Sequence, residues 1–335
     1  MTKKVAVIGA GSWGTTLANL AAGNDRRVAL WARDPTLARA MARDRRNVRY
    51  LPVFPLADSI APTSDIMEAV TGAELVVCAA PSHAMREVLE QTVPYVDPET
   101  IVVSASKGIE NDTLKRMTEV LAEVLGGQER LAVLSGPSFA VEVSRGVPTA
   151  VTVAAHDDAV SRSVRDAFAT PRFRIYTSTD VVGVELGGAV KNVIAIATGI
   201  SDGLRYGDNA RAALVTRGLA EISRLGIALG GDRLTFMGLT GLGDLVLTCT
   251  GELSRNRNVG LRLGRGETLD DILAEMTMVA EGVRTTRSVR DLASHYDVQM
   301  PITEEVHEIL YHAKRPEVSV EELMTREFKP EFERR

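Results

Sequence analysis

Between residue 5 and about residue 155, short β-branched runs alternate with stretches whose apolar positions recur at helical spacing. The runs cover residues 5–9, 28–31, 75–79, 101–104, 131–135 and 150–153, and the amphipathic stretches between them include 14–22 and 82–91. Strands that alternate with helices predict a mostly parallel sheet covered on both faces. After about residue 180 the period-two signal fades. Ala-, Leu- and Arg-rich segments with a period near 3.6 take over, as at 210–229 and 303–311, so the second part should be mainly helical. The expected division is an α/β unit at 1–182 and a helical unit at 183–335.

A chain of 335 residues is long enough for two such units, each with its own core. Its apolar fraction of 45% and charged fraction of 25% exclude a disordered or fibrous protein. A net charge of -5 argues against a nucleic-acid partner, so any anion site must come from locally placed Arg and Lys. The two cysteines, Cys78 and Cys249, lie in apolar surroundings and read as reduced core residues. The basic start and the apolar run at 5–9 read as a first strand, because glycines interrupt the run before it reaches the length of a leader. No uncharged stretch approaches the roughly 20 apolar residues of a membrane span. A soluble, cytoplasmic protein is expected, and no metal site.

The chemistry begins at Gly9-Ala10-Gly11-Ser12-Trp13-Gly14, a G-x-G-x-x-G placed directly after a strand and before a helix. In that context Gly9 makes the tight turn, Gly11 lets backbone approach a pyrophosphate, and Gly14 lets helix and sheet pack closely. The cofactor is therefore NAD or NADP. At the end of the second strand, Arg33 is suited to the 2'-phosphate of NADP, whereas Asp34 would suit the 2'-hydroxyl of NAD. The fork geometry of a guanidinium on phosphate tilts the choice modestly to NADP.

Ligands of open α/β sheets lie beyond the carboxyl ends of the strands. Three such ends stand out: Ala79 to His83, Ser104 to Gly108 with the lone ammonium of Lys107, and Ser135 to Ala140 with a flexible backbone and the Ser138 hydroxyl. In the second part, the apolar stretch 183–197 carries a polar pair, Lys191 and Asn192. A buried ammonium needs a partner or a lowered pKa, which suits proton transfer to an alcohol oxygen. Gly238 to Leu245 presents the carboxylate of Asp244. Ser254 is a natural helix N-cap, and the Arg255-Asn256 that follows lies where first-turn amides attract a phosphate.

These residues together resemble bacterial NAD(P)-dependent glycerol-3-phosphate dehydrogenase from Gly9 to about Leu310. The motifs that carry the resemblance are Gly-Ala-Gly-Ser-Trp-Gly-Thr at 9–15, Ser-Lys-Gly at 106–108, Ser-Gly-Pro-Ser-Phe-Ala at 135–140, Gly-Gly-Ala-Val-Lys-Asn-Val at 187–193, Gly-Leu-Gly-Asp-Leu at 241–245 and Ser-Arg-Asn at 254–256. The resemblance implies an α/β Rossmann-type domain followed by an all-helical domain, with the site between them. It implies Lys191 as the catalytic proton donor and acceptor, and Lys107, Gly136, Ser138, Lys191, Asp244, Ser254, Arg255 and Asn256 as substrate contacts. For the cofactor it implies Ser12, Trp13, Arg33, Tyr50, Lys107, Ala140, Arg255, Val279 and Glu281, beside the glycines 9, 11 and 14. The implied substrates are dihydroxyacetone phosphate and sn-glycerol 3-phosphate, the implied use is glycerophospholipid synthesis, and a homodimer is the base-rate expectation. The competing expectations are a dehydrogenase of the same plan acting on a hydroxy acid or acyl thioester, and a non-catalytic dinucleotide sensor.

Overall fold

Valine, isoleucine, leucine and alanine fill the strand runs, and burial of both sheet faces is what such uninterrupted apolar runs require. The computed structural model describes residues 3–127, 129–276, 278–328 and 330–331. Its strands are β1 (Lys4–Ile8), β2 (Arg27–Trp31), the pair β3 (Arg46–Asn47) and β4 (Leu51–Pro55), then β5 (Ile60–Thr63), β6 (Leu75–Cys78), β7 (Ile101–Ser104), β8 (Leu131–Ser135), β9 (Thr149–Ala154) and β10 (Phe173–Ser178). The main sheet runs β10-β9-β8-β7-β6-β1-β2-β5, and β3 pairs only with β4. All neighbours in the main sheet are parallel except β8 and β9, which are antiparallel. The chain crosses from one side of β1 to the other between β2 and β6, and that reversal opens a crevice above the carboxyl ends of β1 and β6.

Seven helices accompany the sheet among the described residues: α1 (Ser12–Ala22), α2 (Pro35–Asp44), α3 (Ile66–Val70), α4 (Met85–Thr92), α5 (Met117–Leu125), α6 (Ala140–Ser144) and α7 (Asp158–Phe168). From Val181 onward the described residues are helical and carry no strand: α8 (Val181–Gly203), α9 (Gly207–Ala228), α10 (Arg233–Phe236), α11 (Asp244–Thr250), α12 (Arg255–Gly264), α13 (Leu269–Glu275), α14 (Glu281–His295), α15 (Pro301–His312) and α16 (Pro316–Thr325). This is the expected fold class, a mostly parallel Rossmann-type sheet followed by helices.

Several details differ from the sequence reading. The strand at 150–153 runs against its neighbour β8, and β5 and β10, both at sheet edges, were not expected. The helix expected from residue 14 starts at Ser12. The stretch 82–91 opens as a short 3-10 turn, Ser82–Ala84, before α4. The stretch Gly238 to Leu245, read only as presenting Asp244, winds into a π-helical turn, Leu239–Gly243, that leads into α11.

Helix α8 organises the second part. It is buried along nearly its whole length, with α9, α11, α12 and α14 packed around it. It is long and apolar enough to cross a membrane, yet 89% of its most apolar 18-residue window lies inside the fold, as in the core helix of a globular protein. Burial of each Val, Leu or Ile on it stabilises the fold by about 1.5–3 kcal/mol. Helix α12 crosses it at backbone contact: a Cβ on Gly260 would lie 2.0 Å from the Ile196 carbonyl oxygen. The buried Glu185 near its start accepts from the Thr118 amide (2.7 Å) and from Arg116 (2.6 Å), which ties α8 to the beginning of α5.

Candidate active site

The glycine turn is built as its spacing predicts. Gly9 has φ +117°, and a Cβ there would lie 2.8 Å from the backbone of Ala79 at the end of β6. A Cβ on Gly14 would lie 1.9 Å from the Gly9 carbonyl oxygen, so any side chain there separates α1 from the turn. At Gly11 the same construction meets nothing within 4 Å. Gly11 is also the N-cap of α1 and offers its first-turn amides no side-chain acceptor. An open cradle of unpaired amides at the positive end of a helix fits a pyrophosphate.

Around that cradle the fold gathers most of the expected cofactor residues. Ser12 Oγ donates to the Tyr50 carbonyl at 2.7 Å and lies 3.5 Å from the sulfur of Met278, which precedes the exposed Val279. The Trp13 ring stands 6.4 Å from that of Phe173. Ala140, the first residue of α6, accepts through its carbonyl from Thr16 Oγ1 on α1 at 3.3 Å. At the end of β2, Asp34 has both oxygens engaged: Oδ1 accepts from the Thr36 amide (2.8 Å), and Oδ2 pairs with Arg49 (2.9 Å). Arg33 beside it is exposed. Its charge reaches His83, whose pKa is lowered chiefly by burial and further by Arg284 and Arg33.

The second cluster lies where the helical part meets the strand ends. Lys191, on α8, is only 5% exposed. Its Nζ donates to Asp244 Oδ1 and to Thr248 Oγ1, the latter at 2.6 Å. The other Asp244 oxygen accepts from Lys107 Nζ at 2.6 Å, and Lys107 also donates to the Gly136 carbonyl at 3.1 Å. One buried carboxylate thus joins two ammonium groups that come from opposite parts of the chain. Burial brings Lys191 down to about 7; Asp244 opposes that fall and Lys107 assists it. An amine with that pKa exchanges its proton readily near neutrality. Two glycines just before Lys191 let α8 approach this closely: a Cβ on Gly187 would lie 2.7 Å from the Thr240 carbonyl, and one on Gly188 would lie 2.5 Å from Ser135 Oγ.

Ser138 Oγ donates to the Gly136 carbonyl at 3.0 Å, beside Lys107. Ser254 caps α12 by accepting from the Arg257 amide at 3.2 Å, which leaves its own hydroxyl hydrogen to donate elsewhere. Arg255 keeps solvent-exposed surface but is hemmed in by protein on most sides, and that desolvation lowers its pKa while Glu281 opposes the shift. Asn256 is buried; its Nδ2 donates to Asn192 Oδ1 and its Oδ1 accepts from the Gly282 amide, both at 2.9 Å. Glu281 reaches to the end of β6, where its carboxylate accepts from Ser82 Oγ at 2.6 Å. Burial raises the Glu281 pKa, and Ser82, Arg255 and Arg284 oppose the rise.

Two participants went unread in the sequence. Thr248 accepts from Lys191 and donates to the Asp244 carbonyl at 2.6 Å; its spacing of four from Asp244 on one helix was the available signal. Ser82, the partner of Glu281, was read only as a small residue at a strand end.

Comparison with known proteins identifies the family. The family model described as NAD-dependent glycerol-3-phosphate dehydrogenase N-terminus matches residues 4–161, and the model for the C-terminus of the same family matches 180–321. A protein of Citrifermentans bemidjiense named glycerol-3-phosphate dehydrogenase [NAD(P)+] is 55% identical over 333 residues, covering 99% of each chain. The crystal structure of glycerol-3-phosphate dehydrogenase from Coxiella burnetii superposes with a TM-score of 0.93 at 40% identity, over 97% of this chain and 99% of the other. A structure of the Saccharomyces cerevisiae glycerol-3-phosphate dehydrogenase gives a TM-score of 0.82 at 27% identity, over 96% of this chain and 99% of the other.

Proposed function

The chain belongs to the NAD-dependent glycerol-3-phosphate dehydrogenase family, and we propose from that premise how its own residues divide the work. It is an NAD(P)-dependent oxidoreductase that interconverts dihydroxyacetone phosphate and sn-glycerol 3-phosphate. When bound, the nicotinamide supplies or accepts the hydride at the central carbon. Residues 1–182 bind the dinucleotide, and residues 183–335 supply the proton and grip the substrate.

In the reducing direction Lys191 gives its proton to the oxygen on the central carbon as that oxygen gains charge; in the oxidising direction neutral Lys191 takes the proton from the hydroxyl. Asp244 fixes the amine and balances Lys107. Thr248 orients the amine from its other side. Lys107 brings positive charge to the carbonyl end, with Gly136 and Ser138 beside it. Ser254, Arg255 and Asn256 hold the phosphate with a hydroxyl, a guanidinium and the first-turn amides of α12. Asn256 has its side chain committed to Asn192 and Gly282, so its part is to fix that turn against α8 and α14. On the cofactor side, Gly9, Gly11, Ser12, Trp13 and Gly14 take the pyrophosphate, Tyr50, Ala140 and Val279 line the cradle, and Arg255 and Glu281 close it from the helical part. Arg33, unencumbered beside a fully engaged Asp34, favours NADP over NAD.

The observation that carries this reading is the buried lysine on a carboxylate it shares with a second lysine, where the helical part meets the residues that follow β7 and β8. The test is to mix purified protein with dihydroxyacetone phosphate and follow loss of NADPH and of NADH in parallel. Turnover with the triose phosphate, faster with NADPH, is expected; turnover only with an unphosphorylated hydroxy acid, or tight cofactor binding without turnover, would overturn it. The product suits glycerophospholipid synthesis. Cys78 and Cys249, buried thiols pushed up to about 12 by burial, fit a reducing cytoplasm. A homodimer remains the assembly we favour, with light scattering as its check.

A further inference from the structure

Helix α15 ends in His307-Glu308-x-x-x-His312, none of which is assigned above to catalysis or binding. His307 is only 6% exposed, and its Nδ1 has no hydrogen-bond partner among the described residues. A buried ring nitrogen without a partner is costly and rare, and it calls for an occupant. That nitrogen faces Glu308 Oε1 at 3.5 Å, too far for a good hydrogen bond, and the same oxygen lies 4.0 Å from His312 Nε2. One ligand atom from each of the three residues falls within 4.8 Å of the others. Donors bound at about 2.1 Å to one tetrahedral ion stand about 3.4 Å apart, so small rotations of the exposed His312 and half-buried Glu308 complete the set.

We propose that His307, Glu308 and His312 form a binding site for a transition-metal ion of the zinc class, with one coordination position left to water. Two imidazoles and one carboxylate are the donors such ions prefer, whereas magnesium and calcium take oxygen ligands. The site also lies in the last turns of a helix, where the unpaired carbonyls favour positive charge. Charges on the neighbouring elements act on the ion too. Arg284 and Arg287 of α14 reach the Tyr311 hydroxyl, whose ring is 5.0 Å from His307, and they disfavour a cation. Lys314 is neutralised by Glu305 and Glu322. The Glu308 carboxylate is therefore essential to the site. Tyr311 Oη donates to the Val283 carbonyl at 2.7 Å in the first turn of α14, so the end of α15 that carries the site is fastened to the helix that begins with Glu281.

The experiment is calorimetric titration of the intact, tag-free and chelator-stripped chain with zinc chloride, followed by cobalt(II) absorption spectroscopy. One ion per chain is expected, with tetrahedral cobalt bands. His312→Ala and Glu308→Gln should each weaken zinc binding about tenfold or more, and magnesium should not bind. At a hundredfold excess over the wild-type Kd, zinc should raise the Tm of the wild type by about 4 °C and that of His312→Ala by about 2 °C or less. Because His312 is exposed, this variant should fold normally, and His307→Gln gives a second test from the buried side. Absence of saturable zinc binding, or equal binding by wild type and His312→Ala, overturns the proposal.

Discussion

Replacing Lys191 with methionine keeps most of the side chain's volume and removes its charge, and we expect an inactive enzyme that is more stable than the parent. The unfolded lysine holds its proton below about 10.5, whereas the folded one holds it only below about 7. Between those values unfolding takes up a proton, so the native state loses stability as pH falls from 10.5 toward 7 and regains it as pH rises. At pH 7 the gap corresponds to a penalty of about 4 kcal/mol. Removing the amine lifts this penalty but strips Asp244 Oδ1 and Thr248 of a donor. Asp244 keeps its bond to Lys107, so no buried charge is orphaned. If those losses return half of the gain, about 2 kcal/mol remains, or roughly 3 °C in Tm for a chain of this size.

The same substitution removes the proposed proton carrier, which should cut kcat by about 10² to 10⁴, equivalent to about 3–5 kcal/mol of transition-state stabilisation. Calorimetry at pH 7 and steady-state reduction of dihydroxyacetone phosphate measure the two effects on one preparation. Near-normal turnover would remove Lys191 from the chemistry. A Tm several degrees lower would mean that the lysine is a structural partner of Asp244 whose proton is not weakened by burial, and the reasoning from desolvation would fall.

In the proposed mechanism reduction uses protonated Lys191, so its rate should decline as pH rises through about 7, while alcohol oxidation, which uses the neutral amine, should rise over the same interval; profiles with parallel limbs would refute the assignment. Arg255→Ala should raise the KM for dihydroxyacetone phosphate about tenfold or more with a smaller effect on kcat, and an unchanged KM would take the phosphate elsewhere. Arg33→Ala should lower kcat/KM for NADPH about tenfold while sparing NADH, measured with both cofactors on the same variant; equal losses for both would dissociate Arg33 from the 2'-phosphate. Gly14→Ala, whose Cβ would lie 1.9 Å from the Gly9 carbonyl oxygen, should weaken dinucleotide binding by more than tenfold in a fluorescence titration, and normal binding would contradict the packing at the turn.

What the sequence made legible was whatever local chemistry dictates. The glycines at 9, 11 and 14 are read from steric need, Ser254 from its capping oxygen, and Lys191 from the conflict between an ammonium and the apolar run around it. The elements that escaped are those whose identity is settled by neighbours. Strand β5, Ile60–Thr63, contains Pro62, which lacks an amide and so demotes a run to an edge or a loop on sequence grounds; here it pairs at the sheet edge, where that amide is not needed. Strand β10, Phe173–Ser178, buries only Phe173 and Ile175 deeply, too few apolar positions to announce a strand. Nor does any local signal reveal that β9 runs against β8.

The site followed the same rule. Each charged residue was visible as a candidate, but the sharing of one carboxylate by two lysines was not, because Lys107, Lys191 and Asp244 are brought together only when Gly187 and Gly188 let α8 press against the π-helical turn and the end of β8. Those glycines set the depth of the amine, and depth sets its pKa: the same Lys191 on a helix held a few ångströms farther out would reach water, keep its proton at neutral pH and lose its value as a base. The proton chemistry proposed for this enzyme therefore depends on two residues with no side chain as much as on the lysine that carries the charge.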